Sequence, residues 1–142
     1  MKLFSQIFAI IIVAFLFLNE SNFAQSNDQP LLVVSFQKVR MADVAAINKM
    51  INEKFAPILN GLVDDKMLLS WGLFNHTWGD EWNVNVWYTV KDMASFDIFW
   101  EAYMKGINEK QPDAWKEMRG YIMEHKDNIY TIMNQYPAPP SK

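Results

Sequence analysis

The chain offers two histidines and no cysteine, so the chemistry its side chains can do is narrow. His76 sits in a stretch where polar and aromatic residues alternate: Phe74, His76 and Trp78 before a short interruption, Asn83, Asn85 and Trp87 after it. An imidazole in that setting can serve as a general base or orient a ligand near neutral pH. It can equally be a solvated side chain at a hairpin tip, hydrogen-bonded to Asp80 or Glu81. Two amides at alternate positions of a central strand need partners. They either bind a polar group of a ligand while Trp87 stacks on its ring, or they pair across the two-fold axis of a dimer. Gln37 and Lys38 end the first apolar stretch, and the sequence does not choose which of the two faces a pocket. The candidate set is therefore His76 as the catalytic residue, with Phe74, Asn83, Asn85, Trp87 and Gln37 binding a ligand. His125 is expected at a helix C-terminus, where the dipole favours a cation.

Other chemistries find little support. A metal site needs three or four convergent ligands, and Asp64-Asp65 and Asp80-Glu81 are adjacent pairs of the kind turns use; no metal and no cofactor is expected. Neither GxSxG nor GxxxxGK[ST] occurs, which removes the serine-hydrolase elbow and the phosphate loop. Asn75-His76-Thr77 matches the N-glycosylation pattern but falls in an expected strand. A net charge of −3 disfavours nucleic acid and anionic membrane as partners. Six Trp within an aromatic content of 15% exceed what a small core needs, so some rings belong to a pocket or an interface.

The elements that must position these residues follow from periodicity. Leu31 to Val39 is short, apolar and β-branched, hence a strand buried on at least one face. Val44, Ile47, Ile51, Phe55, Ile58 and Leu62 recur at helical spacing, giving a helix from Asp43 to about residue 60 that Pro57 kinks or ends. Lys66 to Trp78 and Trp82 to Val90 read as two strands of a hairpin. An even-numbered connection puts Leu69, Trp71 and Leu73 on one face with Val84, Val86, Tyr88 and Val90; an odd one would mix apolar and amide positions. Trp78 and Trp82 are expected to pair near the hairpin end. Asp92 caps a second helix with Phe96, Phe99, Trp100, Tyr103, Met104 and Ile107 on one stripe. Gln111-Pro112-Asp113 interrupts it, Trp115, Met118 and Ile122 resume helical spacing to about His125, and Asn128 to Tyr136 is the last strand.

At the N-terminus, Lys2 precedes an apolar run from Ile7 to Leu18 that Asn19-Glu20-Ser21-Asn22 ends. This is a secretion signal in form and is short for a membrane span. Cleavage after Ala24 gives residues 1–24 as signal, 25–30 as polar leader, 31–136 as one domain and 137–142 as a Pro-rich tail. The protein is then exported, periplasmic or extracellular, with no stable membrane anchor once the signal is removed. Without cysteine, neither a lipid-anchored N-terminus nor disulfides are available.

The order is β-α-β-β-α-(α)-β, an α+β ferredoxin-like unit with a four-stranded antiparallel sheet and helices on one face. The bare face would show Phe74, Trp78 and Trp87 to water, and a second subunit would cover them. In this element order and hydrophobic pattern, residues 31–136 resemble the dimeric α+β barrel superfamily, which includes antibiotic-biosynthesis monooxygenase-like domains. The resemblance implies a homodimer with a small-molecule pocket in each subunit, between sheet and helices or facing the barrel interior. Relatives include cofactor-independent oxygenases of polycyclic aromatics, haem-degrading enzymes and proteins without assigned activity. The haem-degrading pattern of Asn on the first strand, Trp on the third and His on the second helix is met here by Trp87 alone. The first strand offers Ser35 and Gln37, and the second helix has no His before His125. The expected function is binding of an apolar or aromatic compound, as a cofactor-independent monooxygenase-like enzyme or, alternatively, as a non-catalytic dimerisation or interaction protein.

Overall fold

The computed structural model describes residues 30–78 and 81–134. The expected signal, most of the leader and the Pro-rich tail lie outside them. Four strands, β1 (Leu31–Val39), β2 (Ser70–Asn75), β3 (Val84–Val90) and β4 (Ile122–Thr131), form one sheet in the order β2-β3-β1-β4. Every pairing is antiparallel. The helical segments all lie between strands, and this is the ferredoxin-like α+β arrangement the hydrophobic pattern calls for.

The first helical run, α1 (residues 41–64), is continuous but not regular. A 3-10 turn (Met41–Asp43) leads into α-helix (Val44–Met50), a π turn (Ile51–Phe55) and α-helix again (Ala56–Asp64). Within the π turn the Ala56 N–H reaches back to the Ile51 carbonyl. Pro57 follows at once. Its missing N–H and its ring would break an α-helical turn, and the wider turn in front accommodates it. The proline therefore disturbs the helix as expected without ending it, and the run continues to Asp64. Ile47, Ile51, Phe55 and Leu59 are almost completely buried, each contributing about 1.5–3 kcal/mol relative to exposure.

α2 (Met93–Lys110) starts at Asp92, whose side chain accepts the Ser95 N–H at 2.7 Å. That bond holds the carboxyl below its usual range. Phe99, Tyr103 and Ile107 form its buried edge. Gln111 ends α2, and α3 (Pro112–Tyr121) begins on the proline. Here the structure corrects the expected boundaries. α3 stops at Tyr121 and β4 starts at Ile122, not at Asn128, so His125 lies on a strand and meets no helix dipole. β2 is also shorter than expected, and Leu69, placed by periodicity beside Trp71 and Leu73, precedes it half-exposed while Leu68 enters the core.

The hairpin register is the even one. Trp71 opposes Tyr88 and Leu73 opposes Val86 on the helix side, while Phe74 opposes Asn85 and Gly72 opposes Trp87 on the other. The expected Trp78–Trp82 pair does not form. Trp78 is 97% exposed, and Trp82 packs edge-on against Phe36 with centroids 6.5 Å apart, the Lys126 ammonium lying 4.2 Å from its ring centre.

The exit from α1 is closed by two bonds, Met67 N–H to the Leu62 carbonyl at 3.0 Å and Lys66 N–H to the Val63 carbonyl at 3.0 Å. This pairing places Lys66 in the left-handed region at φ 61°, where glycine is the residue without a steric penalty. Lys66→Gly is expected to stabilise the fold by about 0.5–1 kcal/mol, read as a raised urea midpoint at unchanged slope; a lowered midpoint would contradict this account of the turn.

Candidate functional site

Each strand shows one face to the helices and one away from them. On the helix side of β1 and β4 the alternation brings four polar residues into a block: Ser35 opposes Asp127 and Gln37 opposes His125. Elsewhere this side of β1 carries Leu31, Val33 and Val39, all buried. A register shift between Lys38 and Val39 creates the block. Val39 pairs with Ile122 and Lys38 with Glu124, so Met123 is an extra residue on β4. The bulge inverts the alternation of all that follows. His125 and Asp127 thereby turn toward the helices, and Glu124 turns away to bind Lys38 at 2.9 Å.

Above the block the helices leave a cavity of about 380 Å³, within the range that holds a small organic ligand. β1 contributes Ser35 and Gln37, β3 contributes Val86 and Tyr88, and β4 contributes His125. Ile51 and Phe55 of the π turn form one wall, Trp100 and Tyr103 of α2 a second, and Trp115, Met118 and Arg119 of α3 a third. The body of the cavity is apolar and aromatic, with polar groups gathered at the β1–β4 floor and at Arg119. Gln37 is 5% exposed, and its Oε1 finds no hydrogen-bond donor among the described residues. Burial, reinforced by the neighbouring Tyr103, pushes the Tyr88 phenol well up, and burial pushes Tyr103 up as well. Both therefore remain protonated.

His125 Nε2 lies 3.1 Å from Asp127 Oδ1 and 3.3 Å from Ser35 Oγ. A carboxylate only accepts, so in the neutral ring Nε2 carries the proton, and Ser35 Oγ shares it as a second acceptor. Nδ1 then keeps its lone pair. A serine-hydrolase triad needs its acid and its serine on opposite ring nitrogens. Here both gather on Nε2, so Ser35 is not activated as a nucleophile.

The residues expected to act are divided by this geometry. Gln37 lines the cavity floor. Phe74 and Trp87 line a shallow depression on the opposite side of the sheet, with Leu32, Val34, Phe36 and Tyr130. The Trp87 indole lies across Gly72, where any added Cβ would overlap the ring. Asn83 serves the backbone: its Oδ1 accepts the Val39 N–H at 2.9 Å and its amide donates to the Val39 carbonyl at 2.7 Å. Asn85 is fully buried, donating to the Trp82 carbonyl at 2.8 Å, with its Oδ1 unpartnered among the described residues. His76 is exposed and lines neither space; its backbone N–H meets the Asn83 carbonyl at 3.4 Å. Periodicity passed over His125, Ser35 and Arg119 as site residues. The cue available was polar residues at alternate positions of β1, which call for polar neighbours on the adjoining strand. Among the described residues no group of three or more His, Asp or Glu is arranged to hold a metal ion, and no helix is long and apolar enough to cross a membrane.

No protein-family model and no curated protein sequence matches the chain. Solved structures do. A dimeric ferredoxin-like protein from an uncultured marine organism aligns with TM-score 0.65 at 9% identity, covering 80% of this chain and 96% of that one. A NIPSNAP family protein of unknown function from Agrobacterium tumefaciens gives 0.63 at 11%, covering 79% and 95%. A protein named provisionally an antibiotic biosynthesis monooxygenase, from Nitrosomonas europaea, gives 0.56 at 10%, covering 79% and 96%. These likenesses establish the ferredoxin-like fold and agree with the superfamily the sequence resembles.

Because Asn83 holds the end of β1 through two bonds, Asn83→Ala strands a buried N–H and a buried carbonyl. It is expected to cost about 2–4 kcal/mol in urea unfolding, whereas His76→Ala stays within about 0.5 kcal/mol. Equal effects from the two changes would contradict this division of roles.

Proposed function

We propose that this chain binds an apolar or aromatic small molecule in the cavity between the sheet and its three helices. The observation that carries the reading is the polar floor of Ser35, Gln37 and His125 facing helices across open space. A protein core closes over apolar residues at such positions, since a buried polar group without a partner costs about 1–3 kcal/mol. A ligand's polar group supplies the missing partner for Gln37, and its body fills the aromatic volume. Oxidation without a cofactor is the reaction class that the sequence resemblance suggests, and one structural neighbour is named a monooxygenase. Tyr88 and Tyr103 keep their protons through burial. The lining group left to accept a proton from a bound compound is therefore His125, through Nδ1.

Met118→Trp fills the cavity without adding charge. Binding of a neutral ring probe, 2-naphthamide, followed by tryptophan quenching, is expected to weaken at least tenfold while the melting temperature shows a folded protein. Unchanged affinity in a folded variant would remove the cavity from consideration.

The other side of the sheet supports a second reading, that the chain is an exported homodimer. Phe74 and Tyr130 are each more than two-fifths exposed around the depression, a large apolar and aromatic patch for a lone subunit. A second copy packed sheet to sheet covers it, and one structural neighbour is described as dimeric. The N-terminal charge and apolar run support export. Native mass spectrometry of protein from its own host is expected to give twice the mass of a chain starting at Gln25. Phe74→Lys should give the monomer with 2-naphthamide binding retained. A monomeric parent protein would count against the dimer, and an intact residue 1–24 segment against export.

A further inference from the structure

The polar groups around the cavity are unevenly divided between donors and acceptors. The Arg119 guanidinium, the Trp100 and Trp115 indole N–H groups and the protonated Tyr103 hydroxyl all belong to lining residues. None of the first three has an acceptor among the described residues. Against them stand the acceptors Gln37 Oε1 and His125 Nδ1, with the Ser35, Tyr88 and Tyr103 hydroxyls able both to donate and to accept.

Arg119 is the one formal cation in this lining. Four other cations have carboxylate partners, Lys38 with Glu124, Arg40 with Asp43, Lys49 with Glu53 and Lys105 with Glu109, but unlike Arg119, which is exposed, none of them lines the cavity. Arg119 has no carboxylate partner among the described residues. Its guanidinium instead rests 5.7 Å from the centre of the Trp115 ring, which holds the charge beside the cavity while leaving its N–H fork unused. The acid nearest the floor, Asp127, is already engaged by His125.

From this imbalance, and resting on the cavity reading above, we propose that the ligand is an amphipathic monoanion. Its apolar or aromatic body, carrying a donor for Gln37 Oε1, lies among Phe55, Tyr88 and Tyr103, and its single carboxylate meets Arg119. A carboxylate offers acceptors only and takes a guanidinium fork through two parallel bonds. A neutral compound rich in donors would leave the lining donors unmatched.

The test compares 2-naphthoate with 2-naphthamide, which share one ring system and differ in charge. Both are titrated against the full-length protein at neutral pH and low salt by tryptophan quenching. Naphthoate is expected to bind about tenfold more tightly, with an advantage that shrinks as salt is raised. In Arg119→Gln the advantage collapses, and the acid binds no more tightly than the amide. Equal affinity of acid and amide in the parent protein would overturn the monoanion and leave the cavity standing. A preference for the acid that survives Arg119→Gln would overturn the role of Arg119. Failure of both compounds to bind would remove the cavity reading and this inference together.

Discussion

Each strand of this sheet has to satisfy two environments with one alternating sequence, and the helices supply cover for just one of them. β1 shows the consequence most fully because it is paired on both sides. Leu31, Val33, Ser35, Gln37 and Val39 face the helices, while Leu32, Val34, Phe36 and Lys38 face away. The cavity and the bare apolar face are therefore back to back, separated by the thickness of one sheet. Tyr88 belongs to the first space and Trp87, its neighbour in the chain, to the second. A dimer formed over the bare face would press on the floor of both cavities through β1 and β3.

The cavity itself follows from what the helices cannot do. His125 and Asp127 each keep two-fifths or more of the side chain exposed, and a helix closing tightly over them would have to desolvate an imidazole and a carboxylate. Those two groups, with Ser35, satisfy one another in the plane of the sheet. Gln37 is left over, with an acceptor no neighbour meets. The π turn widens α1 where Ile51 and Phe55 approach, so two large side chains reach the same space from successive turns. Pro57 makes that irregularity a property of the sequence.

The strands and helices were legible because their periods are clean. Alternation from Trp71 to Val90 admitted a single register, and Asp92 marked its helix by type and position. The start of β4 was not legible, because Trp115, Met118 and Ile122 continue helical spacing past the point where the helix stops. That misplacement carried His125 to a helix end and out of the site. His76 drew notice as a rare residue among aromatics, yet rarity says nothing of what a side chain faces. Asn83 and Asn85 were correctly seen to need partners. Their principal partners are backbone groups of this same chain, which local patterning cannot distinguish from a ligand.

The extra residue Met123 has a consequence for descent. Strand alternation has a parity, and an inserted residue reverses it for everything downstream unless a bulge absorbs it. Were Met123 kept in regular alternation after Ile122, with no bulge, β4 would offer Glu124, Lys126 and Asn128 to the cavity and send His125 and Asp127 to the outer face. In a lineage built on this fold, gain or loss of the bulge between α3 and β4 would therefore exchange the polar groups at the cavity floor in a single step. Likeness of fold among such chains will persist long after likeness of ligand has gone.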